Sequence, residues 1–189
     1  MKLNNVDLNK IYNTEKEIYD NLSLTNRKVV VDGHWNFENN SEQFEANLKY
    51  PKGNTVIKTD NSSFLGGNDS KPEPVQYFIL GIAASYASSF VNSASIRGIL
   101  LKNLSVKVEA NLNYSYFFSI SDDPKIEEIN ITLEVESNAE QNKLIELKES
   151  ALKCCPALSA LNSDLKVNVN LIIKERISII NSDSFIIFN

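Results

Sequence analysis

Residues 65–112, LGGNDSKPEPVQYFILGIAASYASSFVNSASIRGILLKNLSVKVEANL, combine a turn-rich loop, a long apolar segment and an alternating segment. Pro74 stands at a favoured first helical position, no proline interrupts 75–97, and Gly98 is a stop signal. We therefore predict one long helix over 75–97. Small residues make its middle thin on nearly every side, so other backbones can approach it closely; they are Gly81, Ala83, Ala84, Ser85, Ala87, Ser88 and Ser89. Because its apolar stretch is too short and too rich in serine to span a bilayer, we expect it to be buried in protein and predict no membrane contact.

The segments on either side of this helix alternate between helical and strand periodicity. Residues 5–22 have amphipathic helical spacing, and three β-rich runs from Lys28 onward, separated by polar or glycine-containing turns, predict an antiparallel meander. After Gly98, apolar residues alternate along two predicted strands, at 104–110 and at 129–135. Helical spacing returns over 139–155 and is stopped or kinked by Pro156, and 165–173 alternates again. The predicted class is α+β.

Composition excludes several classes of protein. The chain has 189 residues, 42% of them apolar, and a net charge of −5 without a basic stripe, so it should fold, and nucleic acid is not an expected partner. Its two cysteines, Cys154 and Cys155, are adjacent, which excludes a disulfide-stapled secreted scaffold. With His34 as the single histidine, we expect no closed zinc site. The first 20 residues carry no apolar signal segment, so we predict a cytoplasmic protein.

The GGND loop at 66–69 precedes a helix but has neither the Lys-Ser/Thr of a P-loop nor the spacing of a dinucleotide turn, so we expect no cofactor. However, the loop, the helix-opening Pro74, the Ala/Ser-rich helix centre, Arg97-Gly98 and Cys155-Pro156 occur in an order that resembles the OsmC/Ohr family of thiol-dependent hydroperoxide reductases. The resemblance spans about 28–171. It implies an intertwined homodimer, in which antiparallel sheets wrap around two long central helices. It also divides the chain into an N-terminal helical extension (1–27), an OsmC-like domain (28–174) and a β-prone C-terminal extension (175–189).

The resemblance also implies a catalytic centre, which this sequence lacks in part. Active members carry a reactive cysteine in the middle of the long helix, and that position falls on Ser85. Their glutamate just after the helix-opening proline corresponds to Val75. Cys155 matches the second cysteine, while the activating arginine has no clear match beyond the candidates Arg27 and Arg97. A hydroxyl is not oxidised by peroxide to a sulfenic acid, so Ser85 does not replace the reactive cysteine. Because Val75 does not replace the glutamate either, two of the four catalytic positions are lost.

Several residues have two interpretations each. Cys155 is either the remaining redox thiol or, with Cys154, a small buried apolar residue. Ser85 is either a nucleophile or, more in keeping with its surroundings, a helix-packing residue. Phe78 and Tyr86, with Tyr77, either line an apolar ligand pocket or fill the space of a lost one. Trp35 is expected in the core, with His34 facing solvent.

Three functional hypotheses follow. The first is an OsmC-like protein without the standard peroxidase activity that binds a small apolar or thiol-containing molecule at the dimer seam. The second is a residual organic hydroperoxide reductase that uses Cys155. The third is a structural or interaction protein that uses the N-terminal helix and the apolar C-terminal tail, which we expect to pair with a sheet edge or a partner subunit.

Overall fold

The computed structural model describes residues 1–174, so the predicted tail at 175–189 lies outside the described residues. The N-terminal part contains strands β1 (Lys2–Leu3) and β2 (Val6–Asp7), helix α1 (Leu8–Asp20) and a 3-10 turn (Leu22–Thr25). An antiparallel meander follows, formed by β3 (Asp32–Trp35), β4 (Phe44–Tyr50) and β5 (Gly53–Thr59). The predicted N-terminal helix and the meander are thus confirmed. The first meander strand begins at Asp32 rather than Lys28.

The second half of the described chain builds the core. Helix α2 (Pro74–Ile96) is followed by the antiparallel strands β6 (Leu101–Leu112) and β7 (Ile126–Ser137), helix α3 (Gln141–Cys154), the short helix α4 (Pro156–Ser159) and strand β8 (Lys166–Lys174). All of these elements were predicted apart from α4. Strand β8 pairs with β7 in the parallel direction. This sheet is therefore mixed, whereas the prediction was of antiparallel sheets. The helices between β7 and β8 supply the crossover that a parallel pair requires.

One side of α2 packs against β6, α3 and α4. Ile82, Tyr86 and Phe90 on this side are buried together with the inward residues of β7 and with Leu144, Leu147 and Ala151 of α3. The opposite side is exposed in the single chain, at Leu80, Gly81, Ala84 and Ser88. Within residues 1–174 of a single chain, the predicted burial of this helix is therefore observed on one face.

With 23 residues, α2 is long and apolar enough to cross a membrane by length and composition, so the expectation that it is too short was wrong. The core helix of a globular protein passes the same test, and one face of α2 packs on a sheet and two helices here.

Candidate functional site

Helix α2 and the break between α3 and α4 bring together Ser85 and Cys155, the two residues that the resemblance places at the cysteine positions. Ser85 Oγ lies 3.2 Å from Cys155 Sγ, and the backbone N–H of Ala157 donates to Ser85 Oγ at 3.5 Å. Pro156 cannot continue α3, so the chain turns at Cys155, which has an extended backbone with φ −79° and ψ 112°. The sequence predicted both residues for this site, and the structure joins them although they lie 70 residues apart.

The two cysteines have different environments. Cys155 is 0% exposed and belongs to the hydrophobic core cluster, whereas Cys154 is exposed on the last turn of α3. The interpretation of both as buried residues is therefore wrong for Cys154. Because Cys155 is buried, a peroxide has no direct access to its sulfur in this conformation. The polar group next to this sulfur is the Ser85 hydroxyl, which peroxide does not oxidise to a sulfenic acid.

Tyr86 is a core residue and does not line a pocket. Its side chain is fully buried and its hydroxyl donates to the Lys148 carbonyl at 3.1 Å. Burial raises the pKa of this hydroxyl well above its usual range, and the carboxylate of Glu149 raises it further. The placement of Tyr86 matches the alternative in which it fills space. Phe78 is exposed, and it is Tyr77 that borders a groove.

Val75, which the resemblance places at the glutamate position, is an apolar residue on the first turn of α2. It borders a cavity of about 910 Å³ beneath the β6–β7 loop, beside Tyr114, Tyr116 and Phe117. In this sequence a glutamate, Glu73, lies directly before Pro74 and caps α2. The backbone N–H of Glu73 donates to Gln76 Oε1 at 2.8 Å in a capping box. A carboxylate is therefore present at the start of α2, but it stabilises the helix end.

Neither candidate arginine contacts the pair in the part of the chain that the structure describes. Arg97 ends α2, about 18 Å along the helix axis from Ser85, and its guanidinium lies 3.8 Å from the carboxylate of Glu146. Arg27 lies in an exposed segment before β3. Among residues 1–174 there is also no group of three or more His, Cys, Asp or Glu side chains arranged to hold a metal ion.

An apolar groove lies between the meander and the exposed face of α2. It encloses about 610 Å³ and no charged side chain lines it among the described residues. Trp35, Phe44 and Tyr77 are its aromatic walls, and Leu80, Gly81 and Ala84 form its helical side. Trp35 is 47% exposed, so the prediction that it is a core residue was wrong, while His34 is exposed as expected. The alternation of Phe44, Ala46 and Leu48 along β4 was the sequence signal for this surface.

Taken together, these features define an α+β protein whose long central helix places the side chain of residue 85 against a Cys-Pro turn. The model of the OsmC-like protein family matches residues 66–170, more than half of the chain. The chain belongs to the OsmC-like family, which includes organic hydroperoxide resistance and redox proteins.

Solved structures show the same fold. An OsmC-like protein from Mycoplasma pneumoniae is 20% identical with a TM-score of 0.60, and the match covers 79% of this chain and 99% of that one. An organic hydroperoxide resistance protein OsmC from Legionella pneumophila is 18% identical with a TM-score of 0.57, over 77% and 97% of the two chains. One from Elizabethkingia anophelis, with thiocyanate bound, is 15% identical with a TM-score of 0.60, over 78% and 99%. No curated protein matches the sequence.

Proposed function

We propose that this protein is a cytoplasmic OsmC-like homodimer that does not carry out the two-thiol reduction of hydroperoxides and instead binds a small apolar or thiol-containing molecule at the dimer seam. The observation that carries the proposal is the contact between Ser85 Oγ and Cys155 Sγ. A two-thiol cycle consumes peroxide by forming a sulfenic acid on one cysteine, which the second converts to a disulfide with loss of water. With a hydroxyl on one side, the disulfide that completes this cycle cannot form within the pair.

The proposed dimer accounts for the exposed face of α2. Apolar and small residues occur on all sides of this helix, as expected of a helix that is covered all round. Within a single chain, residues 1–174 cover the side that carries Ile82, Tyr86 and Phe90. Gly81, Ala84 and Ser88 lie on the uncovered side, where their small side chains would let the α2 helix of a second copy approach closely. Members of the family are typically dimeric, which supports the same arrangement.

The groove between the meander and α2 supports the binding of an apolar molecule. Its volume is in the range of small-molecule sites, and its polar lining in the described chain is limited to uncharged side chains such as Gln43, Thr59 and Asn61. Burying a ligand charge there without a partner would be costly, which favours neutral ligands. Because the groove borders the uncovered face of α2, it lies at the proposed seam.

Trp35 provides a direct test, since it is the only tryptophan of the chain and lines the groove. We expect cumyl alcohol, a neutral apolar probe, to change the Trp35 fluorescence saturably, and Leu80→Gln to weaken this binding. Leu100→Gln is the matched control, since Leu80 and Leu100 are each 57% exposed but only Leu80 lines the groove. Cysteine in place of cumyl alcohol tests a thiol ligand. The absence of saturable binding by both probes would contradict the ligand-binding proposal.

A second measurement tests the loss of peroxidase chemistry. The alternative, a residual reductase, requires Cys155 to attack cumene hydroperoxide, which yields cumyl alcohol and a Cys155 sulfenic acid that an external thiol then reduces. The burial of Cys155 argues against it. We expect no catalytic consumption of cumene hydroperoxide in the presence of dithiothreitol. Turnover that is lost in Cys155→Ser and retained in Cys154→Ser would establish the residual reductase instead.

A further inference from the structure

The N-terminal arm, defined as residues 1–31, is firmly attached to the body of the protein. The Asn4 side chain donates to Ser95 Oγ at 3.1 Å and to the Ile99 carbonyl at 2.9 Å, and it accepts from the Leu101 N–H at 2.8 Å. Ser95 is buried and its hydroxyl lies 3.2 Å from the Leu3 carbonyl. These contacts fix the β1–β2 hairpin on the C-terminal end of α2, so the direction in which α1 leaves the hairpin is also fixed.

Within residues 1–174, helix α1 leaves much of its apolar side only partly covered, because Ile11 and Ile18 are half-buried. Leu8 is its only buried residue, and Tyr19 is 80% exposed. Ile11, Ile18 and Tyr19 line an open groove of about 720 Å³ together with Ile96 at the end of α2. An amphipathic helix gains little stability from an apolar stripe that faces water, so we expect this stripe to be covered.

The C-terminal end of the arm also carries exposed apolar residues. Val29, Val30 and Val31 lie outside any strand and are exposed, Val29 by 88%. Three consecutive β-branched apolar residues in water form an unfavourable surface for an isolated chain. Val31 also lines the groove beside Leu80 and Ala84 of α2.

The arm therefore borders the uncovered face of α2 at both ends: the hairpin lies on Ser95, and Val31 lies beside Leu80. Whatever covers Gly81, Ala84 and Ser88 is positioned to contact the arm as well. We propose that the N-terminal arm packs against the second copy of this chain, through the apolar stripe of α1 and Val29–Val31, and so extends the dimer interface. This inference rests on the proposed homodimer, because the occupant of the α2 face is that second copy.

The test uses positions that are exposed in the single chain, so that their substitution does not disturb its core. We expect Tyr19→Glu/Val29→Glu in the full chain to raise the dimer dissociation constant by about tenfold or more, since two contacts are lost on each copy. Asn13→Glu/Asn26→Glu is the matched control, because it adds the same charge to the same two segments at exposed polar positions. The control should dimerise like the wild type. Sedimentation equilibrium gives the constants, and circular dichroism verifies that each variant is folded.

The possible outcomes separate the two proposals. A dimeric wild type with the Tyr19→Glu/Val29→Glu variant weakened and the control unchanged supports the arm contact. A dimeric wild type with all three constants equal overturns it and leaves the homodimer intact. Equal weakening in the control also overturns it, because the effect is then one of added charge. A wild type that stays monomeric at high concentration overturns both. If the glutamates prevent folding, Tyr19→Ala/Val29→Ala gives the same comparison without charge.

Discussion

Ser85 Oγ on the central helix and Cys155 Sγ at the α3–α4 break lie 3.2 Å apart. A disulfide needs a sulfur–sulfur distance of about 2.05 Å, so a sulfur in place of the Ser85 oxygen would require only a small approach. The position of Ser85 beside Cys155 would therefore suit a pair of thiols, although one member of the pair is a hydroxyl.

Restoring a cysteine at position 85 should restore the pair. We expect the Ser85→Cys variant to form a disulfide between residues 85 and 155 on treatment with cumene hydroperoxide. This disulfide consumes two of the three thiols of the variant. Ser88→Cys is the control, since Ser88 lies one turn further along α2 on its exposed side. Mass spectrometry of the digested protein identifies the bridge. A bridge between Cys154 and the new cysteine, or none at all, would show that the Ser85–Cys155 geometry does not support the exchange.

The wild-type thiols should react at different rates. Cys154 is exposed and Cys155 is buried, so an aromatic disulfide reagent should modify one thiol quickly and the other only on unfolding. Cys154→Ser should remove the fast phase and Cys155→Ser the slow one. Equal rates in native buffer would mean that the core around Cys155 opens readily.

The hydroxyl of Tyr86 should contribute more to stability than that of Tyr77. Both tyrosines lie on α2, and each hydroxyl donates to a backbone carbonyl, that of Tyr86 at 3.1 Å and that of Tyr77 at 3.2 Å. Only the side chain of Tyr86 is fully buried. We expect Tyr86→Phe to lower the free energy of unfolding by about 1 kcal/mol and Tyr77→Phe by about 0.5 kcal/mol or less. Urea unfolding of both variants measures this, and the reverse order would contradict the assignment of Tyr86 to the core.

The attachment of the arm should depend on Asn4 rather than on its neighbour. Asn4 and Asn5 both have positive φ, 51° and 63°, which glycine adopts without strain. Asn4→Gly removes three hydrogen bonds and should cost about 2 kcal/mol of stability. Asn5, whose side chain makes no hydrogen bond within residues 1–174, is the control, and Asn5→Gly should change stability by less than about 0.5 kcal/mol. Thermal unfolding compares the two; equal effects would indicate backbone strain.

Asp60 should make stability depend on acid pH. Burial raises the pKa of this carboxyl, but the Ser70 hydroxyl and the backbone N–H groups of Ser70 and Asn68 donate to it, and together they hold its pKa below the usual range. A lowered pKa in the folded state stabilises the protein at neutral pH, and this stabilisation is lost as the pH falls below about 4. Urea unfolding should therefore show that Asp60→Asn is destabilised relative to the wild type at pH 7 and much less at pH 3. Asp122→Asn, at an exposed loop position, is the control; a difference that persists unchanged at pH 3 would exclude the ionised carboxylate as the cause.

The elements that carry a strong local period were predictable. Helix α2 and strands β6 and β7 follow from the first helical proline, the Gly98 stop and the alternation of apolar residues, because these signals depend on neighbours within one element. The side of an element that is covered depends on distant segments, and there the predictions failed. Trp35 was expected in the core and lines an open groove instead.

The sequence by itself determined the order of the main elements apart from α4 and the resemblance to the OsmC-like family, which the family model confirms. The tertiary structure decided that Ser85 and Cys155 meet, that Cys155 is buried while Cys154 is exposed, and that residues 1–174 leave one face of α2 uncovered. The reason is physical: side-chain periodicity is set by backbone geometry over a few residues, whereas contact and burial are set by chain crossings such as the one that brings α3 back to α2.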